Sequence, residues 1–150
     1  MTRTAIKLEG AQELIYALQG MEPQLAKRVL GSAMREGAKP MLATAKANCP
    51  VSVDGSHGNP PGTARNSLKI RAKKRRKGIV CVMIQTRAGD FKGKAFYVSF
   101  LEYGTKHIAA LSFMRKAFDT TKMASMAIAK RQISVGIENV ASSLWKPRKR

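Results

Sequence analysis

Apolar side chains near the start of the sequence recur three and four positions apart, which is the spacing of one face of a helix. Leu14, Ile15 and Leu18 predict a first helix over residues 9–19. Gly20 follows directly and favours the end of that helix. The pattern therefore begins with a short amphipathic helix.

A second and longer helix is predicted over residues 23–47. Pro23 suits its first turn, because a proline there gives up no helical hydrogen bond. Small and apolar residues recur at every fourth position and would let another backbone pack closely: Leu25, Val29, Ala33, Gly37, Met41 and Ala45. Pro40 lies within this pattern, so we expect a kink or a break there.

Residues 48–66 carry turn-forming residues and no periodic pattern, including Cys49-Pro50 and Gly58-Asn59-Pro60-Pro61-Gly62. A loop of this length is uncommon within a compact domain and is usually functional or disordered. Two interpretations remain open: a mobile surface loop, and a loop that becomes ordered against a neighbouring subunit.

Alternation typical of strands follows. Residues 67–76 alternate in part and residues 79–86 are rich in β-branched side chains, so they predict a hairpin with its turn at Lys77-Gly78. Cys81 is expected to be a small core residue on the second strand. A third strand is predicted over residues 94–103, although its apolar residues do not alternate cleanly. We expect this segment to be covered on both faces or to end in a helical turn.

Helical spacing returns after Ser112 and predicts an amphipathic helix over residues 113–144. Ser112 is a candidate N-cap. Gly136 weakens the helix by about 1 kcal/mol relative to Ala. Pro147 prevents a basic tail at residues 146–150 from continuing the helix.

The order of helices, then strands, then a helix predicts an α+β fold. We expect one domain over residues 1–150. It contains long N-terminal helices, a small antiparallel sheet of about three to four strands, and a long C-terminal helix packed on the sheet.

Charge narrows the possible partners. Lys and Arg total 28 against 9 Asp and Glu, a formal net charge of +19. Such a chain attracts anions, which include nucleic acid, an anionic membrane face and acidic protein surfaces. No apolar run is long enough to span a bilayer and no signal-peptide pattern is present, so we expect a cytoplasmic chain without membrane contact. Two cysteines are too few for a disulfide scaffold, so we expect two reduced thiols.

Catalytic signatures are missing from the sequence. Neither His57 nor His107 has an Asp or Glu at a spacing typical of a catalytic pair. The sequence contains no Gly-rich phosphate loop, nucleophile elbow or zinc-binding motif. We therefore expect no enzymatic activity, no metal and no cofactor.

The densest cationic feature is the predicted hairpin, which carries Lys69, Arg71, Lys73, Lys74, Arg75, Arg76 and Lys77. These cations are suited to displacing counterions from phosphates or to contacting an acidic protein, but they are equally typical of a solvated sheet edge. A second basic group at the tail, Arg148, Lys149 and Arg150, is either a frayed terminus or an arm that becomes ordered in an assembly. No aromatic residues interleave the hairpin cations, which disfavours stacking on single strands.

The most specific stretch joins the third predicted strand to the last helix. Gly104 permits a sharp turn after Tyr103. Glu102 is either paired with a nearby Arg or Lys or is an exposed strand end. Phe113 and Phe118 are expected to pack in the core.

This stretch resembles the tail-completion, or neck, proteins of long-tailed bacteriophages. Glu102-Tyr103-Gly104-Thr105 matches their Glu-aromatic-Gly-Thr sequence at a strand end, and residues 110–117 match a motif of the form Ala-x-Pro-Phe-x-Arg-x-Ala. Ser112 stands where the family often has Pro. Upstream, residues 45–50 and 62–68 resemble the family's helix end and its entry to the first strand, so the resemblance covers roughly residues 10–135.

The resemblance implies a structural virion protein at the head–tail junction, assembled in the host cytoplasm. Such proteins are expected to form homo-oligomeric rings, here hexameric, that join the portal connector or stopper to the tail-terminator or tail-tube proteins. It carries over no catalytic residues; Glu102, Tyr103, Gly104, Thr105, Phe113 and Arg115 would be structural. If the hairpin cations line the lumen, they could contact genomic DNA. The alternatives are a free nucleic-acid-binding protein, which explains the charge but not the motif, and a small nuclease.

Overall fold

The computed structural model describes residues 11–51, 60–74, 80–86 and 97–145. Within these ranges the chain forms helices and one hairpin. The helices are α1 (Ala11–Gln19), α2 (Pro23–Asn48), α3 (Thr63–Ser67), α4 (Val98–Tyr103) and α5 (Phe113–Trp145). The strands are β1 (Lys69–Lys74) and β2 (Val80–Gln85). The predicted α+β class, with a small antiparallel sheet and a long C-terminal helix against it, is confirmed.

The two long helices, α2 and α5, make the largest contact in the described part of the chain. They run antiparallel, because Val29 near the start of α2 lies against Gly136 near the end of α5, whereas Gly37 lies against Ala129. A Cβ on Gly37 would lie 2.9 Å from the Cβ of Ala129, and one on Gly136 would lie 2.6 Å from the Val29 side chain. The small-residue stripe of α2 is therefore its packing face, as predicted, and Gly136 is a point of close contact.

Pro40 does not interrupt α2, which continues as one helix to Asn48. The break considered at this position is therefore absent. A proline inside a helix removes one hydrogen bond and crowds the preceding turn. Contacts on both sides of Pro40 offset this cost, since Gly37 lies against α5 and Ala45 is in the core.

The hairpin pairs β1 and β2 in antiparallel register, with Ile70 opposite Ile84 and Ala72 opposite Val82. These residues share one face, and the hairpin packs mainly on α2. Val82 and Ile84 also line a groove with residues of α5. The predicted hairpin and the partial alternation of its first strand are confirmed; its predicted turn at Lys77-Gly78 lies outside the described residues.

Two segments differ from the prediction. Val98–Tyr103, expected to be a third strand, is helical, so the described sheet has two strands where about three to four were expected. Aromatic and β-branched side chains favoured the strand, but Glu102 is buried three and four positions after the buried residues Ser99 and Val98, which is a helical spacing. Part of the predicted loop over residues 48–66 is helical, because α3 spans Thr63–Ser67. Its residue Ala64 is buried. Residues 94–96 and 52–59 lie outside the described part.

A compact core lies where the end of α2 meets the start of α5, and it consists of Ala45, Cys49, Ala64, Leu68, Val98, Phe113 and Ala117. Burial raises the pKa of the Cys49 thiol, and the Arg65 guanidinium partly opposes this rise. The Cys49 thiol is therefore neutral and unreactive at neutral pH. Cys81 is also a free thiol; it lies on β2 as predicted but is only half-buried.

Substituting Gly37→Ala should destabilise the protein, whereas Gly31→Ala on the same helix should not. A Cβ at position 37 would meet the Ser125 carbonyl oxygen at 2.7 Å, whereas nothing lies within 4 Å of one at position 31. Overpacking costs about 1–3 kcal/mol, and the better helix propensity of Ala returns about 1 kcal/mol. Urea denaturation should show a net loss for Gly37→Ala and a small gain for Gly31→Ala. Equal effects would contradict the close crossing of α2 and α5.

Candidate assembly interface

Glu102 is a buried carboxylate, 8% exposed, near the end of α4. Its Oε2 accepts a hydrogen bond from the Met114 amide at 2.8 Å, and its Oε1 accepts one from the Arg115 amide at 3.0 Å. Both donors belong to the first turn of α5, where backbone amides have no helical acceptor. The negative charge also lies at the positive end of the helix dipole. Glu102 therefore caps α5 from a separate helix.

The exposed strand end offered for Glu102, and the capping role offered for Ser112, are wrong. Ser112 has a φ of +48°, and its hydroxyl donates to the Glu102 carbonyl oxygen at 3.4 Å instead of accepting from an α5 amide. Glu102 is buried, and its carboxylate accepts hydrogen bonds from two backbone amides of α5. Arg115 contributes its backbone amide to the cap.

The two phenylalanines of the motif have different environments. Phe113 is 2% exposed and fills the core between α4 and α5, as predicted. Phe118 is 48% exposed, so the prediction that it packs in the core is wrong. Its ring lies at the edge of the groove between α5, α2 and β2.

Residues 104–112 connect α4 to α5, and we call residues 103–111, which include the last residue of α4, the display loop. Hydrogen bonds hold both of its ends: the Gly104 amide donates to the Phe100 carbonyl at 2.8 Å, and the Leu111 amide donates to the Leu101 carbonyl at 2.9 Å. Gly104 adopts φ +77° and ψ 174°, a conformation open essentially to glycine alone. A Cβ there would also lie 2.9 Å from the Ile108 carbonyl oxygen. The predicted sharp turn at Gly104 is confirmed.

Thr105 organises the middle of the display loop. Its amide donates to the Ile108 carbonyl at 2.8 Å, and its Oγ1 accepts from the amides of His107 at 3.3 Å and Ile108 at 3.1 Å. A threonine hydroxyl that bonds the backbone two and three residues ahead fixes a tight turn. The loop is therefore locally ordered by its own bonds.

Apolar side chains project from this ordered loop into solvent. Tyr103 is 75% exposed, Ile108 49% and Leu111 41%. Scattered exposed apolar residues are ordinary, but several on one short, hydrogen-bonded segment are typical of a protein–protein interface. The display loop is thus the part of the motif that is available to a partner.

Among the predicted basic contacts that the structure describes, Lys69 lies at the end of the hairpin that adjoins this loop. Lys69 and Arg71 are exposed on one face of β1. Lys69 pairs with Gln85, which lines a cavity together with Tyr103, so this end of the hairpin adjoins the display loop. Two of the other predicted contacts, Lys73 and Lys74, belong to β1. The rest lie outside the described residues: Arg75, Arg76, Lys77, Arg148, Lys149 and Arg150.

The described residues contain no cluster of three or more His, Cys, Asp or Glu side chains able to hold a metal ion. His107 lies on the exposed display loop, and its backbone amide is bonded to Thr105. No helix in the described ranges is long and apolar enough to cross a membrane.

The described site consists of a capped helix start, an ordered loop with exposed apolar side chains, and a basic hairpin. These features are typical of a surface that contacts other proteins. Residues 12–104 match the family model described as "Bacteriophage HK97-gp10, putative tail-component". The chain therefore belongs to the HK97 gp10-like family, and it is a structural tail component of a bacteriophage virion. No curated protein and no solved structure matches the chain.

The family match confirms the resemblance to tail-completion proteins of long-tailed phages. It ends at Gly104, so it includes Glu102 but stops before α5. Sequence reasoning singled out the motif but missed Ile108 and Leu111 as its exposed apolar residues. An available signal was the apolar run at residues 108–111, which lies outside any periodic element.

Replacing Glu102 by Ala should destabilise the fold by about 2–3 kcal/mol, because two amides of α5 lose a charged acceptor. Glu102→Gln keeps one acceptor oxygen and should lose about half as much. The matched control is Glu138→Ala, which removes the same charge from an exposed position on α5. Hydrogen exchange at Met114 and Arg115 should accelerate only in the Glu102 variants. If Glu102→Ala and Glu138→Ala shift the urea midpoint equally, Glu102 is not the cap.

Proposed function

We propose that this tail component joins the phage head to the tail, as a homo-oligomeric ring of six subunits at the head–tail junction. On the head side it contacts the connector or stopper, and on the tail side the tail-terminator or tail-tube proteins. It assembles in the host cytoplasm before it becomes part of the virion. The observation that carries this proposal is the display loop, an ordered and exposed apolar segment on a chain of the tail-component family.

The hydrogen bonds of the display loop support an interface role energetically. A segment that is already ordered loses little conformational entropy on binding, so more of the apolar contact energy appears as affinity. The loop also differs in composition from the charged surface of the hairpin. A ring closes by repeating a contact between two different patches of neighbouring subunits, and a chain with distinct surfaces suits that arrangement.

The net charge of +19 supports assembly among acidic neighbours. Like charges repel in an isolated subunit, whereas acidic partners neutralise them and steer association. In the described residues, three of the few carboxylates are already engaged: Glu102 by α5 amides, Glu36 by Lys39 and Asp119 by Lys122. The cationic excess must therefore be balanced from outside the chain.

Electron microscopy of lysates made without this protein should show DNA-filled heads beside complete but detached tails. The paired variant Tyr103→Ser with Ile108→Ser should give the same particles, because the display loop loses its apolar contacts while the fold keeps its core. The control is Tyr16→Ser, which removes a ring that is 70% exposed on α1.

Normal infectious particles in the absence of the protein would remove the joining role altogether. Normal particles with the Tyr103 and Ile108 variant alone would keep that role but place the contact elsewhere on the surface. A urea midpoint unchanged by the paired substitution confirms that a joining defect arises at the interface and not from unfolding.

A second contact, with genomic DNA in the ring lumen, is supported by the exposed cations Lys69 and Arg71 on one face of β1. Lys69→Glu with Arg71→Glu should cause joined particles to lose DNA. Binding of the purified protein to duplex DNA should fall about a thousandfold between roughly 50 and 200 mM salt for about six phosphate contacts, and the variant should show a shallower slope. Unchanged DNA retention would contradict the lumen contact. Tight DNA binding by a protein whose removal leaves particles intact would instead favour a free nucleic-acid-binding role.

A further inference from the structure

An open apolar groove of about 370 Å³ lies between α2, α5 and β2, away from the display loop. Its principal lining residues are Met34, Met41, Val82, Ile84, Phe118 and Met126. Met34 is 39% exposed and Phe118 48%, so among the described residues nothing covers them fully. A methionine-rich lining adapts its shape to an apolar partner, because the thioether side chain is unbranched and flexible.

Two cations mark the α5 side of this groove. Lys122 is part of the lining, and Arg115 lines an adjoining cavity that shares Met41, Ile84 and Phe118 with the groove. Positions 115 and 122 are two helical turns apart, which places them about 10 Å from each other along one side of α5, with Phe118 between them. The apolar lining therefore carries two cations at a defined spacing, and the Lys122 ammonium also lies 3.5 Å from the Asp119 carboxylate, which offsets part of its charge.

The lining also contains an unsatisfied polar atom. Ser125 is 7% exposed, and its hydroxyl has no hydrogen-bond partner in the described part of the chain. Buried hydroxyls in folded proteins are nearly always bonded. This hydroxyl is itself buried beside the contact of α5 with Gly37 of α2, so it lies beneath the groove surface and does not select an occupant.

We propose that this groove binds an amphipathic helix of an acidic neck or tail protein. The partner helix places apolar side chains on the methionines and Phe118, and two carboxylates seven residues apart on Arg115 and Lys122. Carboxylates at that spacing in a helix are also about 10 Å apart, which matches the two cations. The proposal rests on the head–tail joining role and names the chemistry of one partner.

Charge favours this occupant over a second copy of the chain. An occupant must present carboxylates to Arg115 and Lys122, and this chain has only 9 Asp and Glu against 28 Lys and Arg, so a second copy suits this groove poorly. Like charges brought together at an interface disfavour association, whereas an acidic helix gains both steering and register.

The test uses full-length protein supplied in place of the native protein during infection. Arg115→Glu with Lys122→Glu should lower the yield of joined, infectious particles at least about tenfold, the change expected for roughly 1.4 kcal/mol of lost affinity. The control is Lys116→Glu with Arg131→Glu, which reverses two exposed charges on α5 that do not line the groove. The control should keep the normal yield, and both proteins should keep the wild-type urea midpoint.

The occupant is identified by photocrosslinking within the particles, with p-benzoylphenylalanine in place of Phe118. The expected product is a crosslink to a virion protein at a peptide whose helix carries carboxylates seven residues apart, lost in the Arg115 and Lys122 variant but kept in the control. A crosslink to a second copy of this chain, or no crosslink in assembled particles, would overturn the proposal. If removal of the protein blocks joining but Arg115→Glu with Lys122→Glu joins normally, the groove proposal is overturned. If particles join normally without the protein, the proposed joining function itself is overturned.

Discussion

The backbone amides of Met114 and Arg115 donate hydrogen bonds to the Glu102 carboxylate, and these bonds determine where the C-terminal helix begins. On one side of this contact the chain forms the display loop, and on the other Phe113 and Ala117 enter the core. A buried carboxylate is costly unless it is hydrogen-bonded, and the first amides of a helix are costly unless they find an acceptor. Each of the two groups satisfies the other. One interaction therefore fixes the loop ends, the start of α5 and the packing of its first turn.

The long contact between α2 and α5 extends that arrangement along the molecule. Its closeness depends on residues without bulk, since Gly37 and Gly136 lie where a side chain would collide with the opposite helix. The largest cluster of buried side chains lies at one end of this helix pair, around Cys49, Leu68 and Phe113, whereas Val29 and Ala33 are buried farther along α2. Elsewhere α5 leaves large apolar side chains such as Met123 exposed. Such an uneven distribution of apolar surface is typical of a chain that buries the remainder against partners.

The sequence predicted the regular elements well where periodicity was strong. The extents of α2 and α5 and the hairpin agree with their hydrophobic patterns to within a few residues. The prediction was wrong for α4, because a six-residue helix is too short for its period to outweigh the β propensity of Tyr97, Val98 and Phe100. It was also wrong about the capping role of Ser112 and the exposure of Glu102. A helix cap supplied by a residue twelve and thirteen positions before the capped amides depends on tertiary packing, and no local spacing encodes it.

Because α5 is capped by a residue of a separate helix, the sequence of the display loop can vary without loss of the cap. The ends of the display loop are held by Phe100, Leu101 and Glu102 on one side and by the start of α5 on the other, so the scaffold does not rely on the side chains at the loop's apex. Residues such as Lys106 and His107 can change without moving α5. Substitutions at those positions can therefore change the exposed surface of the display loop without changing the framework that holds it. Glu102 and Gly104, in contrast, cannot be substituted without disturbing the cap of α5 or the turn after α4.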